Sequence, residues 1–154
     1  MNMTRTSHVI PATAVAALAA LALTASPALA DGSSGHSILR AELVGSMPAD
    51  PPIAGVTPGG APWVNGPSKA RVREDGRIEV KIKGLVIPPP VGTGVNPVAS
   101  VVATLVCDDM VESSSAPFAL STAGDGSTSD VITGTRHCED PIVLIQPAAS
   151  SSFW

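Results

Sequence analysis

The chain contains no tyrosine, and its aromatic content is limited to Trp63, Trp154, Phe118 and Phe153. Sugar-binding and single-strand-binding surfaces stack their ligands on aromatic platforms, and there is almost nothing here to build one from. Charged residues make up only 14% of the chain, and acids outnumber bases by 13 to 9. A net acidic chain is not the footprint of a general nucleic-acid binder. Cysteine is confined to Cys107 and Cys138. No G-x-S-x-G elbow occurs, and the serines fall in low-complexity turns such as Ser113-Ser114-Ser115 and Ser150-Ser151-Ser152. After residue 30 there is no further long apolar run, so no later transmembrane segment is expected.

The first thirty residues form the most specific pattern in the chain. Arg5 provides a positive start, Ala12 to Leu23 an apolar stretch, and Ala28-Leu29-Ala30 a small-residue cleavage site. That order reads as a secretory signal peptide, and the apolar stretch is shorter than the about 20 residues a membrane helix needs. Residues 1–30 are therefore expected to be removed, leaving residues 31–154 as a single secreted domain, extracellular or wall-associated. Thirteen of the chain's 15 prolines and all 14 of its glycines interrupt the short apolar runs of that domain and argue against long helices. In an oxidising compartment an even pair of cysteines reads as a disulfide, here Cys107 with Cys138. The competing reading is a free nucleophile or a metal thiolate, and compartment and parity favour the disulfide.

The clearest local structure lies between Ser68 and Leu85. Ala70 and Val72 alternate with Lys69, Arg71 and Arg73, while Ile78, Val80 and Ile82 alternate with Arg77, Glu79, Lys81 and Lys83. Alternation on both sides of Asp75-Gly76 predicts a β-hairpin. A two-residue loop would set Val72 opposite Glu79, mixing apolar and charged groups on one face. A three-residue loop, Glu74-Asp75-Gly76, sets Val72 opposite Ile78, Ala70 opposite Val80 and Arg71 opposite Glu79, and gives Gly76 the positive φ such a loop needs. Burial of one face selects the three-residue loop.

Other strands are expected at Ser37 to Val44, Ala61 to Val64, Val98 to Cys107, Pro117 to Ser121, Ser129 to Thr133 and Ile142 to Gln146, with Gly124-Asp125-Gly126 as a turn. Val98 to Cys107 is apolar on both parities, as in a central strand covered on both faces. Met47 to Pro62 reads as an irregular loop, and Pro88-Pro89-Pro90 as the start of an extended connection to about Pro97. The fold class expected is all-β: an antiparallel sandwich or barrel of about seven short strands with one disulfide.

The run Pro62-Trp63-Val64, then Asp75-Gly76-Arg77-Ile78-Glu79-Val80 with Gly84-Leu85-Val86, then Asn96-Pro97-Val98-Ala99, Cys107, and Cys138 ahead of Pro141-Ile142-Val143, resembles a family of exported actinobacterial proteins. The similarity covers most of residues 31–154. That family has no assigned activity, so the resemblance implies a disulfide-linked β domain and no site. A faint similarity to chordin-type (CHRD) domains lies in Ala41-Glu42-Leu43-Val44-Gly45 and Lys83-Gly84-Leu85. The His-x-His element of those domains is missing, and no site carries over.

Two constellations carry chemistry. Lys69, Arg71, Arg73, Arg77, Lys81 and Lys83 share the odd-numbered face of the hairpin, with Glu79 the one acid among them. Such a face suits an anionic partner, a cell-envelope polymer or a secreted protein; the plainer reading is a solvated outer face whose lysines discourage edge pairing. Asp108, Asp109, Glu139 and Asp140 flank the two cysteines and form a weak calcium candidate, against the plainer reading of solvated loop charges. No cofactor is expected. The functional expectation is a secreted, non-catalytic binding module. Its rivals are a secreted protease inhibitor displaying the Met47 to Pro62 loop, and a small hydrolase, for which His36 and His137 are the available bases.

Overall fold

A computed structural model describes residues 35–148 and 150–154; the expected signal peptide lies outside the described residues. Ten strands follow one another: β1 Ser37–Leu43, β2 Thr57–Pro58, β3 Ser68–Arg73, β4 Arg77–Ile82, β5 Ser100–Cys107, β6 Met110–Ser114, β7 Phe118–Ala119, β8 Gly126–Val131, β9 Pro141–Pro147 and β10 Ser152–Phe153. No helix among the described residues is long and apolar enough to cross a membrane.

The alternating hairpin forms the centre of the first sheet, whose order is β1-β3-β4-β8 with every pair antiparallel. Val72 lies opposite Ile78, Ala70 opposite Val80 and Arg71 opposite Glu79, which is the register of the three-residue loop. Gly76 takes φ +89°, and a Cβ there would meet the Ile132 carbonyl oxygen at 2.3 Å. Positive φ and close backbone approach both require glycine at this position. The even-numbered residues Ala70, Val72, Ile78, Val80 and Ile82 are all buried on the inner face.

The second sheet is built on β5. Strand β9 pairs with it along seven positions, from Val101–Pro147 to Cys107–Pro141, while β6 and β7 share its other edge. Val101, Ala103 and Leu105 join Val72, Ile78 and Val80 in the core between the sheets. Val106 points the other way, into a second cluster with Leu144, Val56 and Phe153. Both faces of β5 are therefore covered, as its unbroken apolar sequence predicts. The two sheets make an open sandwich, not a closed barrel, with one disulfide joining Cys107 to Cys138.

Several elements depart from the sequence reading. Ten strands lie among the described residues where about seven were expected, because β2, β6 and β10 carry no alternating apolar signal. Strand β6 is exposed at four of its five positions, so no stripe marks it. The β2–β10 pair is parallel, an exception to the antiparallel expectation. Ala61 to Val64 is not a strand: Trp63 is buried in the core and its backbone amide donates a hydrogen bond to the Ser46 carbonyl, while Val64 makes a single bridge with Val86. The polyproline connection folds back instead of extending, with the Gly92 amide bonded to the Pro88 carbonyl and the Gly94 amide to the Ile87 carbonyl. Gly126 belongs to β8, which begins and ends earlier than expected.

The Met47 to Pro62 segment is more ordered than its composition predicts. Ala54 and Gly55 both have positive φ, +50° and +76°, and close a tight turn between Ile53 and Val56. Ile53, Ala54 and Val56 then pack over Val106, Leu144 and Phe153. Apolar residues at the middle of the loop thus cover the far face of the second sheet; Val56, the buried one of the three, contributes about 1.5–3 kcal/mol by leaving water, and the half-buried Ile53 and Ala54 add less. Residues 47–52 remain exposed. Within the core, Trp154 stacks on Trp63 with ring centroids 4.5 Å apart.

Candidate functional site

The hairpin that buries its even residues must turn its odd residues outward. Lys69, Arg71, Arg73, Arg77 and Lys81 consequently line the outer face of the first sheet, and Lys83 follows at the end of β4. The structure adds a seventh cation that the hairpin pattern does not reveal. Strand β1 pairs Arg40 with Arg71 and Glu42 with Lys69, placing Arg40 and Glu42 on this same face. Seven of the eight basic residues in 31–154 therefore gather on one surface, and only Arg136 lies elsewhere.

Register arranges these charges in two rows. One runs Arg40, Arg71, Glu79 across β1, β3 and β4; the next runs Glu42, Lys69, Lys81. Each row sets two cations directly opposite one another, an arrangement that costs stability in a sheet. The six side chains surround a shallow depression of about 480 Å³. Compensation is partial: Arg73 reaches Glu79 at 3.8 Å, and Lys83 meets Asp125 at 2.9 Å. The Nε atoms of Arg71 and Arg77 are buried against the sheet without a hydrogen-bond acceptor among the described residues.

Asp125 and Asp130 border this sheet at either end of β8. The Lys83 ammonium and then the Gly84 amide hold the Asp125 carboxyl below its ordinary value of 3.8. The Ala116 amide, followed by the Val131 amide, lowers Asp130 in the same way. Asp130 accepts its bond from the β6–β7 connection, so it also fastens the edge of the first sheet to the second.

The disulfide end is organised differently. Asp108 and Asp109 both have positive φ, +51° and +61°, between the paired residues Cys107 and Met110. They form a two-residue hairpin loop of the kind that requires left-handed residues, which aspartate tolerates. The Asp140 amide donates to Asp108 Oδ1 at 3.3 Å, drawing two of the four calcium candidates together. Asp109 and Glu139 are exposed, and among the described residues no three His, Cys, Asp or Glu side chains converge to hold a metal ion. His137 lines a cleft of about 480 Å³ with Glu74, Asp75, Asp108, Glu112 and Arg136; the residues lining it include two threonines and no serine. His36 is exposed, and its carbonyl accepts the Glu74 amide at 2.8 Å.

Comparison with known proteins adds no family: no family model, no curated protein and no solved structure matches this chain.

Proposed function

We propose that residues 31–154 are an exported, non-catalytic binding module that docks on anionic cell-envelope polymer through the outer face of the first sheet. The observation that carries this reading is the gathering of Arg40, Lys69, Arg71, Arg73, Arg77, Lys81 and Lys83 on one surface of a net acidic domain. Such segregation of charge orients a molecule as it approaches a polyanion and raises its rate of encounter. The carboxylates Asp108, Asp109, Glu139 and Asp140, clustered around the disulfide, turn the like-charged end away from the same surface. The export pattern of residues 1–30 and the resemblance to exported actinobacterial β domains support an encounter outside the cytoplasm.

The test is retention of the secreted chain on envelope fragments from the producing cells. Binding should weaken steeply between 0.1 M and 1 M salt, where the Debye length falls from about 10 Å to about 3 Å. Lys69→Glu with Lys81→Glu should release the protein into the medium while its circular dichroism stays unchanged, since both side chains are exposed. Equal retention of the wild type and this double variant at low salt would show that the face only keeps the protein dissolved.

A further inference from the structure

We infer that the outer face of the first sheet holds a diagonal lane for one linear, phosphate-bearing polymer strand, running from Arg40 on β1 through Arg71 and Lys69 on β3 to Lys81 on β4. This assignment rests on the docking reading above and deepens it by naming the ligand chemistry and its path.

The lane follows from register. In the row Arg40–Arg71–Glu79 the acid sits at the β4 end, and in the row Glu42–Lys69–Lys81 it sits at the β1 end. The positive charges therefore form a continuous diagonal band, and the two carboxylates fence it at opposite corners. Neighbouring strands are about 4.8 Å apart and alternate residues about 6.7 Å, so the band is roughly 12 Å long. That length suits several units of a linear polyanion better than a single small anion. The depression of about 480 Å³ lies along this band, giving the strand a seat below the tips of the cations.

Phosphate fits the donors better than carboxylate does. Arg40 and Arg71 present planar forks that engage two oxygens at once, while Lys69 and Lys81 act as point charges from the second row. A tetrahedral phosphate offers oxygens toward both rows, whereas a planar carboxylate directs both of its oxygens within a single plane. The opposed like-charged pairs Arg40–Arg71 and Lys69–Lys81 lose their mutual repulsion when an anion lies between them. The lane is thus strained without its ligand and relaxed with it.

The experiment uses inorganic polyphosphate as the probe, with poly-L-glutamate and phosphatidylglycerol vesicles as comparisons, and titrates the chain beginning at residue 31. The decisive variant exchanges two charges without changing their sum. Arg71→Glu with Glu79→Arg keeps an attractive cross-strand pair and the net charge, but interrupts the lane. It should bind polyphosphate about tenfold more weakly than wild type, equivalent to about 1.4 kcal/mol. Arg40→Gln should also weaken binding severalfold, while Arg136→Gln, which removes the same charge outside the face, should leave it unchanged. Thermal melting of each variant verifies that it folds, and Arg40→Gln carries the test if the exchange does not. Undiminished binding by the exchanged or the Arg40→Gln variant would overturn the lane and leave a face that acts through summed charge. Tighter binding to poly-L-glutamate or to the vesicles would overturn the phosphate polymer as occupant. If the wild type binds none of the three, the docking reading itself falls.

Discussion

Lys83 and Asp125 meet at 2.9 Å, joining the exit of strand β4 to the turn that precedes β8. The second oxygen of the same carboxylate accepts the Gly84 amide, also at 2.9 Å, so one aspartate holds both the end of the hairpin and its own turn. Asp130 makes the corresponding tie at the other end of β8, to the Ala116 amide at 2.6 Å. Strand β8 is the edge of the first sheet, and these two carboxylates fasten it.

Acid should loosen that edge. Both carboxyls are held below 3.8 in the folded chain, so their stabilisation is present above the unfolded value and disappears as pH falls through the lowered ones. Melting temperature measured from neutral pH downward should decline in this acid range. Asp125→Asn with Asp130→Asn should flatten the decline; an unchanged acid limb in that variant would exclude these two residues as its source.

Opposite faces of β4 should respond oppositely to substitution. Val80 is buried against the second sheet, and Val80→Asp places an unpaired charge there, which should abolish cooperative unfolding. Lys81 is exposed directly opposite Lys69, so Lys81→Ser should change stability by no more than about 0.5 kcal/mol, and in the stabilising direction. Urea unfolding of the two variants checks both.

The disulfide should matter chiefly to stability. Mass spectrometry of the exported chain before and after reduction should show a two-hydrogen difference, as expected for bonded Cys107 and Cys138. Replacing both by serine should cost about 3–4 kcal/mol on the chain-entropy account of a closed loop of this size. Two alkylatable thiols in the native protein would contradict the pairing.

Glycine at 124 should be indispensable. Its φ is +77°, and a Cβ would meet the Leu85 amide nitrogen and carbonyl oxygen at 2.3 Å each. Gly124→Ala should destabilise by about 2 kcal/mol or more, combining strain with displacement of backbone. Gly60→Ala, where a Cβ has nothing within 4 Å, should be close to neutral in the same thermal assay.

The hairpin was legible because every signal it needs is local: two alternating runs, a loop length and one glycine. The charged face was only partly legible for the complementary reason. Arg40 joins it through pairing of β1 with β3, a contact between residues about thirty apart that no spacing in the chain encodes. Asp108 and Asp109 illustrate a different limit. Adjacent carboxylates look alike in sequence whether they hold a cation or turn the chain, and only their positive φ reveals the turn. The cover over the second sheet was missed because Ile53, Val56 and Phe153 sit among prolines, glycines and serines, where no periodicity marks them as core.

The stacked pair Trp63 and Trp154 has an optical consequence. With no tyrosine in the chain, near-ultraviolet absorption and emission are dominated by these two indoles, whose close contact couples their transitions. The domain thus carries an intrinsic gauge of a single event, the departure of its last strand from the core. Spectra that hold still while the charged face is titrated would report binding to an unopened sandwich, with no label attached.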